Sequence, residues 1–127
     1  MIDGINNVIR IPTSLNTSFF RLWLDFLKPF HNLTERETQI AAAILKKRFE
    51  LSKVITDDNI LDSVTLGDDS KKDIREECHI SLAHFQVILG KLRKTKIVLG
   101  DKINPRFIPN VSKSGDSFRL LLNFEFK

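Results

Sequence analysis

Ser70-Lys-Lys-Asp-Ile-Arg-Glu-Glu-Cys-His-Ile-Ser-Leu-Ala-His-Phe-Gln-Val-Ile-Leu-Gly-Lys-Leu-Arg-Lys-Thr-Lys-Ile-Val-Leu-Gly100 reads as a helix, a tight turn, a longer helix and then a strand, and the rest of the chain is read outward from it. Ser70 has the chemistry of an N-cap, with Asp73 at N3. Ser81 has the same chemistry about a dozen residues later, and the polar residues just before it form the turn. In the second helix Phe85, Ile88, Leu89 and Leu92 follow the i, i+3, i+4, i+7 rule and define one buried stripe. The other face carries Ala83, His84, Val87, Lys91 and Lys94. Side chains that are small or basic suit a major groove and the phosphates that border it.

Upstream of this stretch, Leu33-Thr34-Glu35-Arg36-Glu37 has the spacing of a capping box, so a helix is expected from there to about Leu51. Ile40, Ala41, Ile44, Leu45 and Phe49 mark its buried side, and three consecutive alanines permit close helix packing. Lys46, Lys47 and Arg48 lie near its C-terminal end, where they complement the helix dipole. An earlier helix is expected from about Asn16 or Thr17 to Leu27, capped by Thr-Ser and stopped by Pro29. Its apolar residues, among them Phe19, Phe20, Trp23 and Phe26, surround most of its perimeter, so it is either threaded through the core or forms an oligomer interface. Val8-Ile9-Arg10-Ile11-Pro12 reads as an extended arm or an edge strand. Residues 52 to 70 turn acidic, and a solvated loop with one short helix near 58 to 64 is expected there.

Downstream, Lys96-Ile97-Val98-Leu99 reads as a strand, Gly100-Asp101 as a turn, and Arg106-Phe107-Ile108 as a short extended piece between prolines. Lys113-Ser114-Gly115-Asp116 reads as a hairpin tip. Phe118, Leu120, Leu122, Phe124 and Phe126 alternate with Arg119, Leu121, Asn123 and Glu125, the strongest strand pattern in the chain. A hairpin beside two such helices is a wing, and Lys102, Arg106, Lys113 and Arg119 would follow a phosphate backbone or enter a minor groove.

Composition bounds the function without naming it. The 127 residues are 42% hydrophobic and 28% charged, as in an ordinary folded chain. The net charge of +4 is unevenly placed: residues 1 to 70 hold 8 Lys/Arg against 10 Asp/Glu, and residues 71 to 127 hold 12 against 6. The basic half is therefore the half with the two motif helices. One cysteine, Cys78, excludes an internal disulfide and fits a reducing interior. No signal segment or run of about 18 apolar residues is seen, so neither secretion nor membrane insertion is expected.

The order of these elements is that of a helix-turn-helix followed by a wing, and over about residues 33 to 126 it resembles the winged helix-turn-helix superfamily of bacterial, plasmid and phage transcription and replication regulators. Leu33-Thr-Glu-Arg-Glu looks like the opening of the first helix in such domains. Ile80-Ser81 with Leu92-Arg-Lys-Thr-Lys-Ile-Val looks like their turn, recognition helix and first wing strand. Lys102-Ile-Asn-Pro-Arg-Phe107 is similar to the wing of some plasmid replication-initiation proteins. Two features depart from the pattern: Thr95-Lys96 occupies a corner where the family commonly has glycine, and the acidic insert of residues 52 to 69 is longer than the usual connection. The resemblance implies an α+β fold: a winged helix-turn-helix core of three helices plus a C-terminal β-hairpin wing over residues 31–127. Residues 1–30 would add an N-terminal arm and the aromatic-rich helix.

Two functions are compatible with this reading. The first is a cytoplasmic, regulatory or replicative DNA-binding protein that sets helix 82–94 in a major groove of double-stranded DNA. Ser81 stands at the start of the reading face, and His84 and Gln86 are candidate base readers, since Gln pairs with adenine. Lys91, Arg93, Lys94, Lys96, Arg106, Lys113 and Arg119 are candidate phosphate contacts. The second is a phage virion structural or head-to-tail connector protein, in a homo-oligomer or larger assembly, with Phe19, Phe20, Trp23 and Phe26 as the interface. Catalysis, a metal and a cofactor are not expected. Cys78, His79 and His84 lack zinc-ligand spacing, and no phosphate loop or nucleophile elbow occurs.

Overall fold

The longest helix is built from its own first turn. Thr34 Oγ1 accepts from the Glu37 amide at 3.3 Å, and the Glu37 carboxylate accepts from the Thr34 amide at 2.9 Å, so the capping box is complete. In this computed structural model, which describes residues 8–112 and 116–127, that helix is α3, Glu35–Ser52. Successive helical residues are about 100° apart, so a helix in which Ile40 to Leu45 are all buried must be covered on every side. α3 is accordingly the central element, touched by α1 (Thr17–Phe26), α4 (Asp58–Thr65), α5 (Asp68–Cys78) and α6 (Leu82–Lys94). A short helix, α2 (Lys28–His31), links α1 to α3.

The described residues form a helix-rich α+β arrangement with one antiparallel two-stranded sheet. Its strands are β1 (Val98–Leu99) and β2 (Lys102–Ile103), in register Val98 to Ile103 and Leu99 to Lys102. The turn is Gly100-Asp101, as expected, with Gly100 at φ +66°, a conformation that glycine adopts without penalty. The inward residues Val98 and Ile103 join the core, and α4 packs beside β2.

α1 lies along α3 and shares its core. Asn16, not Thr-Ser, caps it, accepting from the Ser18 amide at 2.8 Å. Phe19, Phe20 and Trp23 are buried, which corrects their assignment as interface residues: the chain's own atoms cover them. Trp23 Nε1 donates to the Phe107 carbonyl at 2.8 Å, and the Phe118 ring meets Phe19 and Trp23 edge-on at 5.5 and 5.3 Å. Phe26 alone of the four is exposed. Where the chain turns from α2 to α3, buried His31 accepts from the Leu33 amide at Nδ1, so its Nε2, 2.7 Å from the Leu24 carbonyl, carries the proton.

The acidic segment is more ordered than its composition suggests. Asp57 caps α4, accepting from the Ile60 amide at 3.0 Å, and Asp62 on α4 is buried against Arg48. α5 then begins two residues before Ser70. Its N-cap is Gly67, where a Cβ would stand 3.2 Å from the Val64 carbonyl oxygen and 3.3 Å from that of Ser63. This close approach of α4's end to α5's start admits glycine most easily, and it leaves Asp68 and Asp69 at the positive end of α5. Ser70 is buried inside the helix and is not its cap.

Three expectations near the C-terminus also need correction. Residues 105–107 form a 3₁₀ turn rather than an extended piece, because Pro105 presets the first φ and Asn104 accepts from the Arg106 amide at 3.1 Å. Residues 117–127 adopt no regular structure despite their alternation. A strand needs a neighbour for its backbone groups, and no described segment pairs with them. The hairpin is therefore the internal one at 98–103 and not a C-terminal one. The arm from Val8 to Thr13 is likewise irregular and exposed.

Candidate nucleic-acid interface

α5 ends on an αL residue, His79 at φ 53°. The Ile80 amide returns to the Arg75 carbonyl at 3.0 Å and the His79 amide to the Glu76 carbonyl at 3.3 Å, the paired bonds that close a helix when its C′ residue is left-handed. Arg36 on α3 reaches across to donate to the Cys78 carbonyl at 3.0 Å, so the central helix holds the turn. Burial raises the pKa of the Cys78 thiol above its ordinary value and makes it a poor nucleophile. Three residues after α5, α6 begins: Ser81 accepts from the His84 amide at 3.2 Å, as its position predicts.

The buried stripe of α6 is Phe85, Ile88, Leu89 and Leu92, each at most 3% exposed. Fixing that stripe fixes what the helix shows outward. Ser81, Leu82, Ala83, His84, Gln86, Val87, Lys91, Arg93 and Lys94 are all exposed. Polarity changes along the helix. Its first two turns contain no Lys, Arg, Asp or Glu, and Lys91, Arg93 and Lys94 gather in the last turn, where they also suit the helix dipole.

The corner after α6 brings the hairpin to the basic end. Lys96 is left-handed at φ 64°, in the position glycine normally takes, and the Ile97 amide bonds back to the Leu92 carbonyl at 3.0 Å. Asn104 Nδ2 donates to the Lys96 carbonyl at 2.8 Å, and Arg93 Nε lies 3.4 Å from the Gly100 carbonyl. The basic corner is thus a defined shape made by α6, Lys96 and the hairpin turn. Lys102 extends it on β2.

Seven of the sequence-predicted nucleic-acid residues come together here: Ser81, His84, Gln86, Lys91, Arg93, Lys94 and Lys96. Arg106 and Arg119 do not lie on the hairpin. They neighbour Phe107 and Phe118, which pack toward Trp23 on α1, so their assignment to a wing is corrected. Lys113 lies outside the described residues. Sequence reading missed the part of Arg36, because its partner carbonyl is 42 residues away and no local pattern reports such a bond.

Among the described residues, none of the ion pairs involves Lys91, Arg93, Lys94 or Lys96. The basic run of α3 is the opposite case. Lys46 pairs with Glu77 and with Glu50, Lys47 with Asp73 at 2.9 Å, and Arg48 with Asp62 at 2.7 Å. The hydrogen bond that Lys46 Nζ donates to the Glu77 carboxylate holds the ammonium above the ordinary lysine pKa.

Among the described residues no group of three or more His, Cys, Asp or Glu could hold a metal ion, and no helix is long and apolar enough to cross a membrane. No family model, curated protein or solved structure matches the chain.

Proposed function

We propose that this protein binds double-stranded DNA as a winged helix-turn-helix module in a regulatory or replicative role. In this reading α5 and α6 are the helix-turn-helix, α6 lies in the major groove, and the 98–103 hairpin is a short wing on the adjacent backbone. The observation that carries it is the set of cations at the end of α6 and the next corner, Lys91, Arg93, Lys94 and Lys96. They are exposed and form no ion pairs within the described chain, whereas the equally basic run of α3 is neutralised by α4 and α5. Unpaired cations on a convex helix face match a phosphate backbone in charge and in shape.

The test is fluorescence-anisotropy titration against a random-sequence duplex across a salt series, with the protein's mass measured in the same buffer. Binding in the micromolar range that weakens steeply with salt is the expected result. No binding at low salt would sink the proposal.

A second reading, assembly into a virion or connector structure, is supported by a different observation. Leu121, Leu122, Phe124 and Phe126 are each more than 60% exposed in the last seven residues. In this reading they are buried by other subunits, and a defined oligomer that dissociates on Phe124→Ser and Phe126→Ser substitution would favour it over DNA binding.

A further inference from the structure

We infer that the groove face of α6 selects A·T base pairs by contact with thymine methyl groups; this rests on the DNA-binding reading above. In a recognition helix the N-terminal residues meet the base edges. Guanine is read chiefly by Arg or Lys, adenine by Asn or Gln, and the thymine methyl by apolar side chains. The first two turns of α6 contain no Arg, Lys, Asp or Glu. They present Gln86, one adenine reader, beside Ala83 and Val87, which share a helix edge at i and i+4. Val87 is 70% exposed and Leu82 is 52% exposed, so apolar surface sits where a solvated helix would carry polar groups. The guanine-reading residue types are confined to the last turn, beside the phosphates in this geometry.

Gly90 adds no side-chain bulk to the same face. A glycine inside a helix is less stable than alanine there. Here a Cβ at Gly90 would meet nothing within 4 Å. The chain's own packing does not exclude a side chain here, and its absence leaves the outward surface of α6 open to close approach. Gly90 lies one turn beyond Val87 and Gln86, on the outward edge between the apolar readers and Lys94.

The experiment starts with selection from a random duplex pool. The best site is then titrated in two forms, one with thymine and one with deoxyuridine at every T, which removes the methyl and keeps the hydrogen-bonding edge. The expected result is an A·T-rich site whose affinity falls roughly fourfold for each contacted methyl. Val87→Ala should abolish part of that discrimination and leave the salt slope unchanged, since Val87 is exposed and carries no charge. G·C-rich selected sites, or equal binding of the two forms, would overturn the inference and leave DNA binding intact. Absence of salt-dependent binding to any duplex would overturn the DNA-binding reading itself, and this inference with it.

Discussion

α3 and α6 each carry three basic residues close to the C-terminal end, Lys46-Lys47-Arg48 and Lys91, Arg93 and Lys94, yet the fold treats them oppositely. The α3 cations reach across to Glu77, Asp73 and Asp62 and join the central helix to α4 and α5. The α6 cations face solvent beside the hairpin. The helix dipole does not explain the difference: the α6 cations lie in its last turn, whereas Lys46-Lys47-Arg48 end four residues before the end of α3, outside its last turn. The difference lies in what each helix packs beside. α3 is central and flanked by the acidic segment, whereas α6 buries one stripe and shows the rest. A basic run is therefore available to an outside anion only when the surrounding fold leaves it unneutralised.

The largest effect that tests this contrast is expected at Arg48. Asp62 is 6% exposed, and Arg48→Ala leaves its carboxylate buried without a partner. We expect a loss of about 3 kcal/mol in chemical denaturation, largely recovered in the Arg48→Met, Asp62→Leu double variant. A loss under about 1 kcal/mol would mean the pair behaves like a surface contact.

Lys91→Ala combined with Lys94→Ala should leave stability within about 0.5 kcal/mol. It should weaken binding to every duplex about tenfold and reduce the salt slope by about 2. Lys46→Ala combined with Lys47→Ala should do the reverse, lowering the melting temperature while the salt slope stays put. Equal effects of the two pairs on DNA affinity would erase the distinction between the helices.

Lys96→Gly separates shape from charge at a single position. Lys96 is left-handed, so glycine there should stabilise the fold by about 1 kcal/mol, while loss of the cation lowers the salt slope by about 1. A destabilised variant would show that the lysine side chain supports the corner.

The smallest effect concerns pH. The Lys46 pKa is raised in the folded state by the hydrogen bond it donates to the Glu77 carboxylate, so its contribution is fully present below the ordinary value of 10.5 and is lost as pH rises through the folded value. The stability difference between the native chain and Lys46→Met, a few tenths of a kcal/mol at pH 8, should vanish at strongly alkaline pH. Urea titrations at the two pH values measure it.

Much of the helical framework was legible because its signals are local. Thr34 with Glu37, Ser81 with the His84 amide, and the Phe85–Leu92 stripe each need only three to seven neighbouring residues to state their meaning. Ser70 misled because its favourable cap chemistry was overridden by Gly67, whose place depends on how closely α4 approaches α5. Alternation from Phe118 to Phe126 misled for a related reason: period two shows which side chains can share a face, but not whether a second strand lies alongside. At the candidate interface, the outward residues of α6 were readable from periodicity. The pairing of Lys102–Ile103 across the Gly100-Asp101 turn and the corrected placement of Arg106 and Arg119 were not.

The sequence by itself determined where α1, α3, α4 and α6 begin, which stripe of α6 turns inward, and that the chain's positive charge lies in its second half, because caps, periodicity and charge act over a few bonds or simply add. Only the tertiary structure decided that Phe19, Phe20 and Trp23 belong to the chain's own core, that α3's cations are neutralised, and that those at the end of α6 form no ion pair among the described residues. Burial and charge pairing depend on which distant segments meet, here Trp23 with Phe107 and Arg48 with Asp62, and no local pattern encodes that meeting.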